Sequence, residues 1–272
     1  MTEREARELP YTDSEDFSAV PQLLTKNAED FLWAALQCAD RGYEEVNLNL
    51  GCPSGTVFSK GKGSGMLRDT DSLERFLDQI FAAAPLSVSL KTRLGVNDSR
   101  EFGRLLEIYN RYSVSLLIIH PRVRKAFYDG PVDMAEFEKA LAESENSVCY
   151  NGNLCSMDDI HSFSASHPAV SSVMLGRGLI GDPGMLSPKG TDVKTLLAFY
   201  DELLEQYTRV FGGPRNAMFR LKENWRYFLC RFENAEKLGK RLKKTTDVNE
   251  YRAITHEIIR NCPMRKRLEP NW

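Results

Sequence analysis

LSVSLKTRLGVNDSREFGRLLEIYNRYSVSLLIIHPR, residues 86–122, decides the fold class. LSVSLKT (86–92) reads as a strand, followed by a loop over 93–98 and a helix that runs through Arg111. SLLIIHPR (115–122) is a second strand, and its LLII run suits a strand buried on both faces. Two strands joined through a helix must run parallel, because only a long crossover returns the chain to the same edge. The pattern continues in both directions. Upstream lie AVPQLL (19–24) with a helix over 27–41, and EVNLNLGCP (45–53) with a helix over 71–84. Downstream follow a helix near 133–143, SVCYNGN (147–153), a helix over 157–166 and SVMLGRG (172–178). Six βα units make a parallel sheet, either doubly wound or curled into a barrel.

The strand ends favour the barrel. They carry Gln22, Asn49 with Cys52, Lys91 with Arg93, His120 with Arg122, Asn151 with Gly152, and Gly176 with Arg177. A doubly wound sheet gathers its ligand at one switch point, whereas a barrel aims every strand end at one basin. The expected fold is therefore α/β, a (β/α)8 TIM-type barrel with six of its eight strands present. Nothing in residues 1–18 reads as a strand, and the β signal stops at Lys189. Beyond it, TLLAFYDELLEQYTRVF (195–211), a Gly-Gly-Pro break, NAMFRLKENWRYFLCRF (216–232) and two shorter segments read as a helical bundle. The expected domains are an incomplete barrel over 1–188 and a small all-helical domain over 189–272.

Composition narrows the function. The chain of 272 residues is 42% hydrophobic and 27% charged. That is enough for a sizeable core and unlike a disordered or disulfide-stapled chain. No apolar run is long enough for a membrane helix, and the acidic start MTEREARELPYTDSED is unlike a signal peptide. Six cysteines without metal-type C-x-x-C spacing point to reduced thiols, a cytoplasmic setting and no metal site. The net charge of −2 conceals a division: residues 1–188 hold 18 Lys and Arg against 27 Asp and Glu, residues 189–272 hold 18 against 11. A basic end suits a polyanion such as RNA, though a solvated lysine-rich helix face has the same composition. The aromatics Phe219, Trp225, Tyr227, Phe228 and Phe232 fit a helical core better than a stack of nucleobase platforms.

Several residues could carry chemistry. Cys52 sits in a Gly-Cys-Pro-Ser turn directly after a strand, where a thiol can be a nucleophile or a general acid. The glycines of GKGSG (61–65) read as loop flexibility rather than a phosphate loop. Lys91 and His120 end strands, placed to hold a carbonyl, a phosphate or a ligand ring. YNGN and LGRG form Gly-containing turns after the last two strands, where barrels often grip a phosphate, with Arg177 as a charged partner. There is no HExxH, no P-loop and no pair of strand-end carboxylates. A site of Lys, His, Asn, Arg and one Cys suits an anionic cofactor.

NLNLGCPS (47–54), SLKTRLG (89–95), IIHPR (118–122), NGN (151–153) and MLGRG (174–178) together resemble the motif series of the tRNA-dihydrouridine synthases, in order over about residues 19–262. The resemblance implies an FMN-binding barrel, here without its first two strands, followed by a helical domain that holds tRNA. It implies reduction of uridine to dihydrouridine, with NADPH as reductant, hydride reaching C6 from FMN and Cys52 protonating C5. By position, Gln22, Asn49, Lys91 and His120 would contact the flavin, and Asn151, Gly152, Asn153, Gly176 and Arg177 its phosphate. Arg93, Arg122, Lys222 and Arg226 are the expected tRNA contacts. No membrane partner is expected, and a monomer is compatible with the chain. Two other readings stand beside this one: a non-catalytic RNA-binding remnant that has lost efficient FMN binding, and a flavin oxidoreductase on a free pyrimidine, which would not need the basic helices.

Overall fold

The computed structural model describes residue 9 and residues 18–188 and 190–269. The start of the chain, expected to hold no strand, lies almost entirely outside the described residues. The contacts divide the chain into two units, one reaching to Gly152 and including His167–Met174, the other formed by Asn153–Ser166 and the chain from Leu175 onward.

The first unit is a single parallel sheet. β1 (Gln22–Leu23), α1 (Ala28–Ala39), β2 (Glu45–Asn49), α2 (Gly55–Ser59), α3 (Thr70–Ala83), β3 (Ser87–Arg93), α4 (Phe102–Tyr109), β4 (Leu117–His120), α5 (Met134–Glu143), β5 (Val148–Tyr150) and β6 (Ser172–Val173) follow in chain order. The strands pair in that same order, β1 through β6, all parallel. This is the sequential strand order of a TIM-type barrel, and six of its strands are found among the described residues. Acidic and amide side chains start the helices. Asn27, Asp69 and Asp133 each accept a bond from the backbone N–H three residues on, satisfying a donor that has no partner within the helix.

Register separates the two faces of the sheet. Val46, Leu48, Val88, Leu90, Leu117, Ile119 and Val148 are buried on the face turned to the helices. On that face the Tyr109 hydroxyl of α4 meets Thr92 Oγ1 at 3.1 Å, and Phe137 of α5 packs edge-on against Tyr150. The opposite face is polar. Gln22, Asn47 and Ser89 lie in one row; Asn49, Lys91, Ile118, Cys149 and Ser172 form the next; Arg93 pairs with His120 above them.

The second unit is helical: α6 (Met157–Ser166), α7 (Arg177–Gly181), α8 (Val193–Val210), α9 (Pro214–Phe228), α10 (Glu236–Lys244) and α11 (Val248–Asn261). Gly212 and Gly213 both take positive φ and Pro214 opens α9, so the expected break between the two long helices forms where backbone freedom permits it. Trp225, Phe228 and Phe232 join Leu196, Tyr200, Leu204 and Ile258 in the core, and Trp225 Nε1 donates to Tyr251 Oη at 2.9 Å. Phe219 stays outside, flanked by the cations of Arg215 and Lys222. Among the described residues no helix is long and apolar enough to cross a membrane.

Candidate active site

The polar face of the sheet ends in a thiol-bearing turn. Leu50 N–H donates to Lys91 O at 2.8 Å, the last ladder-like bond before the chain leaves β2. Asn49 then turns its side-chain oxygen back to accept from Gly51 N at 3.1 Å and Cys52 N at 2.9 Å, while its amide donates to Gln22 Oε1 at 2.7 Å. Gln22 in turn donates to Asn47 Oδ1, and Asn47 to Ser89 Oγ. One chain of amides therefore runs across β1, β2 and β3 and ends on the backbone of Cys52.

The far side of the turn is held as firmly. Cys52 O accepts from both Ser64 N and Ser64 Oγ, and Ser64 is fully buried. Gly63 has φ +57°, and a Cβ there would come within 2.9 Å of Cys52 Cβ. At Gly65 a Cβ would meet Phe58 O at 2.7 Å. Gly63 and Gly65 are thus explained by close packing against Cys52 and the Phe58 backbone, not by the flexibility expected of them, while Gly61 takes φ +70° with only ordinary side-chain contacts.

Arg93 is almost wholly buried, 1% exposed, and its guanidinium spans two loops. Nε donates to Gly51 O at 2.8 Å and Nη1 to Val123 O at 3.2 Å, and the group lies 5.3 Å from the centre of the Tyr128 ring. Desolvation lowers its pKa to about 10, so it stays charged at neutral pH. Arg122, also buried, donates from Nη1 to His120 Nε2 at 2.9 Å and from Nη2 to Gly130 O at 2.5 Å. Because a guanidinium only donates, His120 presents an unprotonated Nε2 to it. The exposed Tyr128 ring lies nearly parallel to His120, centroids 6.1 Å apart.

Lys91 points onto this polar face in register with Asn49, and the thiols of Cys52 and Cys149 are close enough to bear on its charge. Burial pulls its pKa down to about 8, and Arg93 pulls the same way; no carboxylate among the described residues offsets them. Such a cation is a receptor waiting for negative charge. Its folded pKa lies below the ordinary 10.5, so the unfolded chain binds more protons between the two values and stability rises with pH through that window. Lys91→Met is accordingly expected to stabilise the chain without cofactor by about 2 kcal/mol at neutral pH. The gain should disappear as pH rises towards 10.5. Urea unfolding at both pH values checks this; a gain that does not change with pH would refute it.

The remaining expected residues are distributed over both units. Asn151 Nδ2 donates to Met174 O at 2.9 Å, tying β5 to the end of β6, and Gly152 leaves room only for the Tyr150 ring. Asn153, Gly176 and Arg177 belong to the second unit, where Arg177 opens α7 behind Gly176. In the same unit Lys222 donates to the carbonyls of Thr245 and Lys243, while Arg226 is exposed beside Tyr227. Both line a groove of about 1100 Å³ between α9 and α10, to which Lys240, Lys243 and Arg265 add positive charge and Glu223, Glu236 and Glu269 negative charge. Sequence reasoning overlooked Asn47, Ser89 and Tyr128. The first two were signalled by alternation, since NLN and SVSLKTR place every second side chain on the polar face.

The family model and the sequence relatives point to one family. A family model described as dihydrouridine synthase matches residues 1–254. A probable tRNA-dihydrouridine synthase of Rhodobacter capsulatus is 27% identical over 207 residues, covering 70% of this chain and 64% of its own. One from Staphylococcus aureus is 28% identical over 242 residues, covering 85% of this chain and 72% of its own. A third, from Staphylococcus epidermidis, is 26% identical and spans 90% of this chain and 77% of its own. This chain therefore covers only about two thirds to three quarters of the length of these relatives.

Proposed function

Because the chain belongs to the dihydrouridine synthase family, we propose that it reduces uridine in tRNA to 5,6-dihydrouridine, with FMN as cofactor and NADPH as reductant, in a cytoplasmic setting. The observation that carries the cofactor assignment is the uncompensated Lys91 cation on a face of amide side chains. That donor set fits an electron-rich ring bearing carbonyls. Gln22, Asn49, Lys91 and His120 would hold the flavin ring, and Asn151 and Gly152 of the same unit its phosphate. When bound, FMN supplies hydride to C6 of the uracil.

This chain's own residues supply the rest. Negative charge develops towards C5 and O4 as C6 is reduced, and a proton donor beside C5 completes the addition. Cys52 is that donor: its backbone is fixed by Asn49 and Ser64, leaving the Sγ–H as the movable group of the turn. Lys91 stabilises the charge that accumulates. Arg93 and Arg122, expected to touch tRNA, are assigned instead to holding the turn and His120, because their guanidinium groups are spent on the chain's own atoms. Arg226 and the basic groove are assigned to RNA phosphates, where each cation contributes through counterion release.

Incubation of the protein with FMN, NADPH and unmodified tRNA tests the proposal, with dihydrouridine measured by mass spectrometry. Product that requires both NADPH and FMN is the expected result. Binding of tRNA without product or flavin uptake would support the non-catalytic remnant, and turnover of free uracil in preference to tRNA would support the pyrimidine oxidoreductase.

A further inference from the structure

The loop that carries Cys52 is joined to the loop after β4 at a second place, away from Arg93. Phe58 of α2 lies between two guanidinium groups, that of Arg68 at 4.6 Å and that of Arg124 at 4.2 Å from its ring centre. The two cations differ in what they connect. Arg68 belongs to the Cys52 loop itself and donates from Nε to Gly65 O, so its contact stays within one segment. Arg124 comes from the other loop, where its backbone N–H donates to Gly95 O and its side chain also lies against Phe127, 5.1 Å away. Its Nε is buried and has no hydrogen-bond partner among the described residues. The guanidinium thus lies between two aromatic rings, that of half-buried Phe58 and that of exposed Phe127. Phe127, which closes the clasp, has a φ of 48°. That is a costly conformation for an aromatic residue, one that the surroundings must enforce.

Behind Phe58 the packing leads directly to the thiol. Gly65 is pressed against the Phe58 backbone, Ser64 beside it donates twice to Cys52 O, and Gly63 abuts Cys52 Cβ. A displacement of Phe58 is passed to Cys52 through three consecutive residues that have no slack. We propose that Arg124 is a positioning residue for Cys52, setting the thiol against the His120 and Tyr128 loop by gripping the Phe58 ring. This rests on the reading of Cys52 as the proton donor.

The test compares Arg124→Met, Arg124→Lys and Phe58→Leu in the full chain, with two readouts. Iodoacetamide alkylation of Cys52, followed on its own peptide by mass spectrometry across pH 6–9, needs neither substrate nor cofactor. Dihydrouridine formation gives kcat and KM for tRNA separately. Arg124→Met and Phe58→Leu are expected to shift the alkylation rate and its pH profile and to lower kcat about tenfold, with KM for tRNA changed less than about twofold. Arg124→Lys keeps a cation over the ring and recovers most of the rate. If Arg124→Met does not fold, Phe58→Leu carries the same comparison. Unchanged alkylation and kcat in Arg124→Met or Phe58→Leu would overturn the proposal. Altered alkylation in a protein that makes no dihydrouridine would uphold the clasp and remove the activity reading instead.

Discussion

Cys52→Ala lowers the rate of uridine reduction by about two to four orders of magnitude, the usual range for loss of a positioned proton donor. Folding and binding should be almost untouched. The hydrogen bonds at residue 52 go to its backbone: Asn49 Oδ1 accepts its N–H, and Ser64 donates twice to its carbonyl. Ala keeps both groups and the same β-carbon packed beneath Gly63. Single-turnover measurement with reduced flavin and saturating tRNA isolates the chemical step, and thermal melting reports the fold. A rate within about threefold of native would remove Cys52 from the mechanism, since so small a change is less than any positioned acid contributes. A matching loss of tRNA affinity would instead make the thiol a binding group.

Arg93→Met should destabilise the first unit by about 3 kcal/mol, because the buried Gly51 carbonyl and the part-buried Val123 carbonyl lose a charged donor at once. Gly51 O and Val123 O lie in different loops, so the substitution also uncouples the thiol turn from the His120 loop. Lysine is a poor replacement: one ammonium cannot reproduce two diverging N–H groups on a rigid fork. Urea unfolding measures the loss, and FMN titration of the folded variant measures what the uncoupling does to the site. A change below about 1 kcal/mol would show that water or another donor satisfies these carbonyls, and that Arg93 is not the link described. The same substitution discriminates between roles, since a residue that merely touched tRNA could be truncated at little cost to stability.

The six strands and the long helices could be read directly from the chain. Parallel strands buried on one face by helices must carry Val, Ile and Leu at alternate positions, and helices must repeat their apolar residues every three to four; both are local patterns. Strand ends with Gln22, Asn49, Lys91 and His120 were equally visible, because a βα unit places its functional residues at a fixed point in the repeat. The polar alternation in SVSLKTR is just as local and sets Ser89 on the same face as Lys91 and Arg93. Gly63 and Gly65 serve close approach for a reason the sequence does not carry: whether a glycine gives freedom or allows close approach depends on what lies opposite, and Cys52 and Phe58 lie opposite these two.

What the chain decided alone, then, was its periodicity, its turn chemistry and the inventory of reactive groups. Tertiary structure decided which of those groups remain available. Arg93, Arg122 and Lys222 look as free in the sequence as Arg226 does, yet folding commits the first three to carbonyls and a ring nitrogen of the same chain. It leaves Lys91 half-buried with no carboxylate beside it among the described residues. Charge and hydrogen-bonding capacity are properties of a residue, but the desolvation that makes a lone cation a receptor arises only from the atoms packed around it.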